Sequence, residues 1–154
     1  SLQGQSLYCG LYINELLYRL LPKHECEPVL FQAYIAAMHQ LVDGTDLEPC
    51  LRVFELALLD AIGYGLSLQH DVDDMPLDPE RQYAYHAERG LVPVDSQQAG
   101  SRLTGSGESF LAIAVCNYAR SEVRQLAKQL LRSSLALYLG NKPLQSRKLF
   151  GGHG

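Results

Sequence analysis

The sequence predicts a mainly α fold, a helical bundle that carries a small inserted β-hairpin or ribbon. Three observations lead there. Three successive segments within the first 65 residues repeat apolar side chains at helical spacing, and short connections join them. A stretch rich in Asp and Pro then loses that periodicity and runs into two short extended segments about a turn. A long basic amphipathic segment follows near the end of the chain.

In the first segment Leu7, Leu11, Leu16, Leu17, Leu20 and Leu21 recur near helical spacing, with Tyr12 and Ile13 widening the stripe. Pro22 ends it, because proline disfavours helix in the residue before it. A second helix is expected to start at Glu27-Pro28, where proline suits the first helical position. Its apolar face is Leu30, Phe31, Tyr34, Ile35, Met38 and Leu41, and Asp43-Gly44 stops it. A third helix starts between Asp46 and Pro49 and runs through Leu51, Phe54, Leu58, Leu59 and Ile62 to Gly63.

Residues 66–81 lack helical periodicity. Gln82-Tyr83-Ala84-Tyr85-His86 and Leu91-Val92-Pro93-Val94 flank Ala87-Glu88-Arg89-Gly90 and read as a hairpin, with Pro93 confining the second strand to an edge. A short helix is expected near Glu108–Val115, then the basic helix over about 119–139. Gly140 supplies a left-handed C-terminal cap and Pro143 keeps the helix from resuming. The remainder reads as a cationic tail, ending in a frayed Gly151-Gly152-His153-Gly154.

A chain of 154 residues, 47% apolar, suffices for one soluble domain with a sizeable core. No apolar run approaches the roughly 18–20 residues needed to cross a bilayer, so no membrane partner is expected. The chain opens on Ser1 with no signal-like start, as a piece with something missing upstream would. Cys9, Cys26, Cys50 and Cys116 form no Cys-x-x-Cys pair and read as buried, reduced thiols of a cytoplasmic protein.

Charge is unevenly spread. From residue 101 on there are eight Lys and Arg against two acids, Glu108 and Glu122, whereas residues 1–100 hold five basic and fifteen acidic side chains. The net charge of −4 conceals this asymmetry, which suggests an anionic partner meeting one end of the molecule. Arg120, Arg124, Lys128 and Arg132 fall at successive intervals of four and form one helical stripe, with Glu122 off its line. A solvated face and a docking surface for phosphates or an acidic peptide are both open, and the tail cations Lys142, Arg147 and Lys148 favour the second. Base stacking would need interleaved aromatics, and only Tyr118 and Tyr138 lie nearby, where each could equally be core.

Other chemistry finds little support. His70-Asp71-Val72-Asp73-Asp74 has no second nearby histidine and fits no EF-hand spacing, so it reads as a solvated acidic loop and no metal or other cofactor is expected. His24, His39 and His86 are isolated. Gly105-Ser106-Gly107 is not a nucleophile elbow, no phosphate-cradling P-loop occurs, and Glu55 and Asp60 fall on different helix faces. No enzyme is expected. Arg52 pairs most simply with Glu55 at i, i+3.

Three segments together resemble a known family. Leu7-Tyr8-Cys9-Gly10-Leu11-Tyr12-Ile13-Asn14-Glu15-Leu16-Leu17 is one, and Arg52-Val53-Phe54-Glu55-Leu56-Ala57-Leu58-Leu59 leading to Gly63-Tyr64-Gly65 is another. With Tyr138-Leu139-Gly140-Asn141-Lys142-Pro143-Leu144-Gln145-Ser146-Arg147-Lys148-Leu149 they look like the C-terminal region of the bacterial recombination mediator family RecO. The resemblance spans nearly the whole chain. It implies that residues 1–150 are the family's helical domain, with 66–95 as an inserted ribbon and 151–154 as a disordered tail. The missing upstream part would be an N-terminal OB-fold domain that supplies most DNA contact.

By resemblance the protein would serve recombinational repair through the RecF pathway, in the bacterial cytoplasm and associated with the nucleoid. It would anneal strands and, with RecR, help load RecA onto single strands coated by the single-stranded-DNA-binding protein SSB. Its helical domain would bind the acidic C-terminal tail of SSB. Arg52 and Lys128 are carried over as cations meeting that tail, and Arg124 and Arg132 follow from the stripe. The alternative is direct single-stranded or duplex DNA binding through the basic helix and the tail cations Lys142, Arg147 and Lys148. Some relatives hold zinc with four cysteines in the ribbon; here residues 66–95 contain no cysteine, so that site is not expected.

Overall fold

A computed structural model describes residues 4–21, 27–44, 46–95, 103–140 and 142–150, with the backbone alone for 148–150. Pro22, Cys26 and the glycine-rich end Gly151-Gly152-His153-Gly154 lie outside the described residues. The fold is mainly α, with six helices and one small three-stranded antiparallel sheet among the described residues. The chain divides into two compact units, residues 1–65 with 135–154, and residues 66–134.

The first unit is built on α1 (Gln5–Leu20), α2 (Pro28–Asp43) and α3 (Leu47–Ala61). Each has an apolar stripe at helical spacing and buries part of it; of the predicted faces Leu7 and Leu11 on α1 and Phe31 and Ile35 on α2 are exposed instead. On α1 Cys9, Ile13 and Leu16 face inward, on α2 Leu30, Ala37 and Leu41, and on α3 Cys50, Phe54, Leu58 and Leu59. Pro28 begins α2 and Gly44, left-handed at φ 73°, ends it, so both sequence signals act where they stand. After α3 the backbone folds over: Tyr64 N–H donates to the Leu59 carbonyl at 2.9 Å. Glycine at 65 lets the turn pass close to Asp60, whose carboxylate would have to move for a Cβ 2.7 Å from its Oδ1.

The second unit holds β1 (Gln82–His86), β2 (Gly90–Pro93) and β3 (Thr104–Ser106) in the order β2-β1-β3. The expected hairpin is present, with Tyr83 opposite Pro93 and His86 opposite Gly90, and Pro93 sits on the edge strand. A third strand, β3, pairs with the other side of β1, Ala84 opposite Thr104. Sequence reading did not anticipate it, because three residues rich in glycine and serine carry no alternation. Tyr83 is fully buried under the sheet, and its hydroxyl accepts the Asp78 N–H at 2.9 Å.

Ser106 at the end of β3 and the Gly107 that follows it serve structure. Ser106 Oγ accepts the Ser109 N–H at 3.1 Å and caps α4 (Gly107–Ala114). A Cβ at 107 would fall 2.0 Å from the Asp78 carbonyl oxygen, so only glycine fits. α5 (Ser121–Leu139) begins in this unit, burying Val123, Leu126, Ala127, Leu130 and Leu131, and its last residues belong to the first unit. Gly140 follows it in the left-handed conformation, φ 68°, as the sequence predicted.

The segment read as a cationic tail is not merely a tail. Residues Gln145–Phe150 form a sixth helix, α6, and Leu144 and Ser146 at its start are buried in the first unit. The cysteines also depart from expectation in one case. Cys9 and Cys50 are buried free thiols, whereas Cys116 is exposed, at φ 56° in the turn after α4 where the chain has left the core.

Candidate functional site

The cations singled out by sequence fall into two settings. Arg52 lies in the first unit, on α3, and Arg124, Lys128 and Arg132 lie in the second, on α5.

Arg52 is buried, 5% exposed, with its Nε 2.5 Å from Glu55 Oε1. The i, i+3 pair is therefore real, but it sits in the core and not on a solvated face. Glu55 is itself buried and accepts a hydrogen bond from the Tyr12 hydroxyl of α1. A carboxylate taken out of water needs such partners, since its burial alone costs several kcal/mol. Burial and the adjoining Glu55 charge, reinforced by that hydrogen bond, hold the Tyr12 phenol well above its ordinary range, with Arg52 and Arg147 pulling the other way. Sequence reading missed Tyr12, because 43 residues separate it from Glu55. The signal available was that Tyr12 and Glu55 both fall in the recurring motifs.

The α5 stripe is less uniform than the sequence suggests. Arg120 precedes the first helical residue, and its guanidinium turns to two acids, Glu108 at 3.4 Å and Glu122 at 3.1 Å. Glu122, read from the sequence as off the line of the stripe, thus pairs with its first member all the same. Arg124 is half-buried, and its Nε donates to the Tyr118 carbonyl at 2.5 Å. Lys128 and Arg132 are exposed, one turn apart, and neither makes an ion pair among the described residues. They are the stripe's outward charge. Of the two aromatics near the stripe, Tyr118 is buried and Tyr138 is partly exposed.

The tail cations belong to the first unit. Lys142 and Arg147 are exposed, and the side chain of Lys148 lies outside the described residues. The helix that carries Arg147 is held at its start by Glu15 of α1, which accepts the backbone N–H of Gln145 at 2.6 Å and of Ser146 at 3.0 Å, and the Ser146 hydroxyl at 2.9 Å. Partial burial alone would raise the Glu15 carboxyl, but these bonds, with the nearby Arg19 charge, hold it below the ordinary carboxylate value. Arg19 donates to the Leu139 carbonyl at the end of α5. Among the described residues, no three His, Cys, Asp or Glu side chains converge as a metal site.

Fold and side-chain placement define a mainly helical domain with a small antiparallel sheet as its insert. The family profile described as Recombination protein O C terminal matches residues 2–148, and the chain belongs to that family. It is 42% identical over 149 residues to the DNA repair protein RecO of Stutzerimonas stutzeri, covering 97% of this chain and 62% of that protein. Identity is again 42% to RecO of Pseudomonas aeruginosa strain LESB58, with 63% of it covered, and 44% to that of Pseudomonas putida strain GB-1, with 64% covered. The chain thus spans less than two thirds of the length of these relatives. No helix among the described residues is long and apolar enough to cross a membrane.

Proposed function

We propose that this domain is a non-catalytic module of recombinational DNA repair that captures the acidic C-terminal tail of the single-stranded-DNA-binding protein. Within a full-length protein, that capture would support strand annealing and, with RecR, the loading of RecA. Family membership and the relatives' name as DNA repair proteins support the repair setting. The observation that carries the tail reading is the pair Lys128 and Arg132, exposed one turn apart and without an acidic partner among the described residues. Two such cations attract a run of carboxylates, whereas Arg120 is already matched by Glu108 and Glu122. Arg124 adds charge from its half-buried place on the same helix, whereas Arg52, buried in the other unit and paired with Glu55, is not counted in this site.

Titration with a labelled acidic tail peptide tests this. Binding is expected in a roughly micromolar range and to weaken as salt screens the charges. Replacing Lys128 and Arg132 together by Ala is expected to weaken it about tenfold or more. Equal affinity of wild type and that variant at low salt would overturn the site.

A further inference from the structure

Sequence alone supplies too few aromatics near the basic end for base stacking, and the structure changes that count. Tyr64, in the turn after α3, and Tyr138, in the last turn of α5, stack with ring centroids 4.1 Å apart and planes 23° apart. Both rings stay open to solvent, Tyr64 at 53% and Tyr138 at 36% exposure. A pair placed for core packing would be closed to solvent, and this one is not. The backbone on either side is fixed. Tyr64 lies between Gly63, left-handed at φ 88°, and Gly65, which packs close to Asp60, and Tyr138 lies two residues before the left-handed Gly140.

The charge at this pair is suited to a phosphate chain. The last carbonyls of a helix carry partial negative charge that would repel phosphates. Arg19 donates to the Leu139 carbonyl, next to Tyr138, and offsets it. Lys142 is exposed four residues beyond Tyr138, just past the Gly140 turn.

The geometry points to Tyr64 and Tyr138 as a stacking platform for an unpaired nucleobase, with Lys142 as the cation for the adjoining phosphates. Every base has a π-face, so the platform takes single-stranded nucleic acid with little sequence preference. The site is distinct from the cations proposed above for an acidic tail.

The test uses the 154-residue chain and a short, end-labelled oligothymidylate. Tyr64→Leu and Tyr138→Leu are expected to weaken binding about tenfold each at fixed salt, while Tyr64→Phe stays within about twofold, because Phe keeps the ring. Lys142→Ala is expected to lower the slope of log affinity against log salt by about 0.7. Should a Leu variant fail to fold, photocross-linking of the wild type to an oligothymidylate containing 5-iodouracil still decides. Cross-links on Tyr64 or Tyr138 support the platform. Cross-links confined to other residues, absence of binding at low salt, or binding that vanishes in the Lys128→Ala, Arg132→Ala variant would overturn it. Acidic-peptide binding is expected to be unchanged in the Leu variants, so the two readings fail separately.

Discussion

Glu15 on α1 holds Ser146 on α6 twice, accepting its backbone N–H at 3.0 Å and its hydroxyl at 2.9 Å through the same oxygen, Oε1. The other oxygen takes the Gln145 N–H at 2.6 Å. A helix of six residues has little stability of its own, and its first N–H groups lack internal partners. A carboxylate from 131 residues earlier supplies them, so the early Asn14-Glu15 motif and the late Gln145-Ser146 motif are two halves of one clasp.

Replacing Glu15 by Gln keeps the shape and removes the charge. The charge-assisted bonds weaken, and Gln can accept through one oxygen only. The half-exposed setting keeps the effect modest, about 1 kcal/mol of stability by urea unfolding. Hydrogen exchange at residues 145–150 should rise with it.

The same carboxylate gives an acid dependence. Its folded value lies below its ordinary value of 4.5, so the folded state binds its proton less readily than the unfolded state. The stabilisation is therefore whole above about 4.5 and is lost as pH falls through the lowered folded value. Wild type and Glu15→Gln should differ in melting temperature at neutral pH and converge in acid. A difference that persists unchanged in strong acid would refute the assignment.

The core polar cluster sets a stronger effect. Removing Arg52 breaks a buried ion pair and leaves the Glu55 carboxylate in the core, a change that costs about 3–5 kcal/mol. Domains of this size have about 5–15 kcal/mol in total, so Arg52→Ala is expected to melt far lower. The combination Arg52→Met, Glu55→Leu, Tyr12→Phe should recover most of the loss by thermal unfolding. Loss of ligand binding in Arg52→Ala alone would thus not separate docking from folding.

Thiol reactivity should divide the cysteines. Burial, with the Cys9 thiol beside it, pushes Cys50 up to about 11, and its Sγ–H donates to the Ala37 carbonyl at 3.7 Å. Burial likewise raises Cys9, with Arg52 pulling it partly back. Partial burial raises the Cys116 thiol as well, but Cys116 is open to solvent where the other two are not, so at mildly alkaline pH an alkylating agent should label it well before Cys9 or Cys50, read by peptide mass mapping. Rapid labelling of Cys50 in the folded protein would contradict the packing.

Helices, hairpin and caps were legible because they are local. The stripe of α1, Pro28 at the head of α2 and the glycines at 44 and 140 each act within a turn or two of themselves. What stayed hidden spans the chain. Tyr12 meets Glu55, Glu15 meets Ser146, and Tyr64 meets Tyr138, none within reach of periodicity. The stripe on α5 was legible as spacing, but not the acids that occupy Arg120 or the carbonyl that holds Arg124. The recurring motifs carried part of the missing signal, since all three pairs lie inside them.

The most direct test of the tail-capture reading is a charge exchange, because Lys128 and Arg132 are exposed and substitution there should leave folding within about 0.5 kcal/mol. Wild type and a Lys128→Glu, Arg132→Glu variant are each titrated calorimetrically with an acidic peptide and with the same peptide carrying Lys in place of its acids. The variant is expected to lose the acidic peptide and to gain the basic one. Undiminished binding of the acidic peptide by the variant would contradict capture at α5.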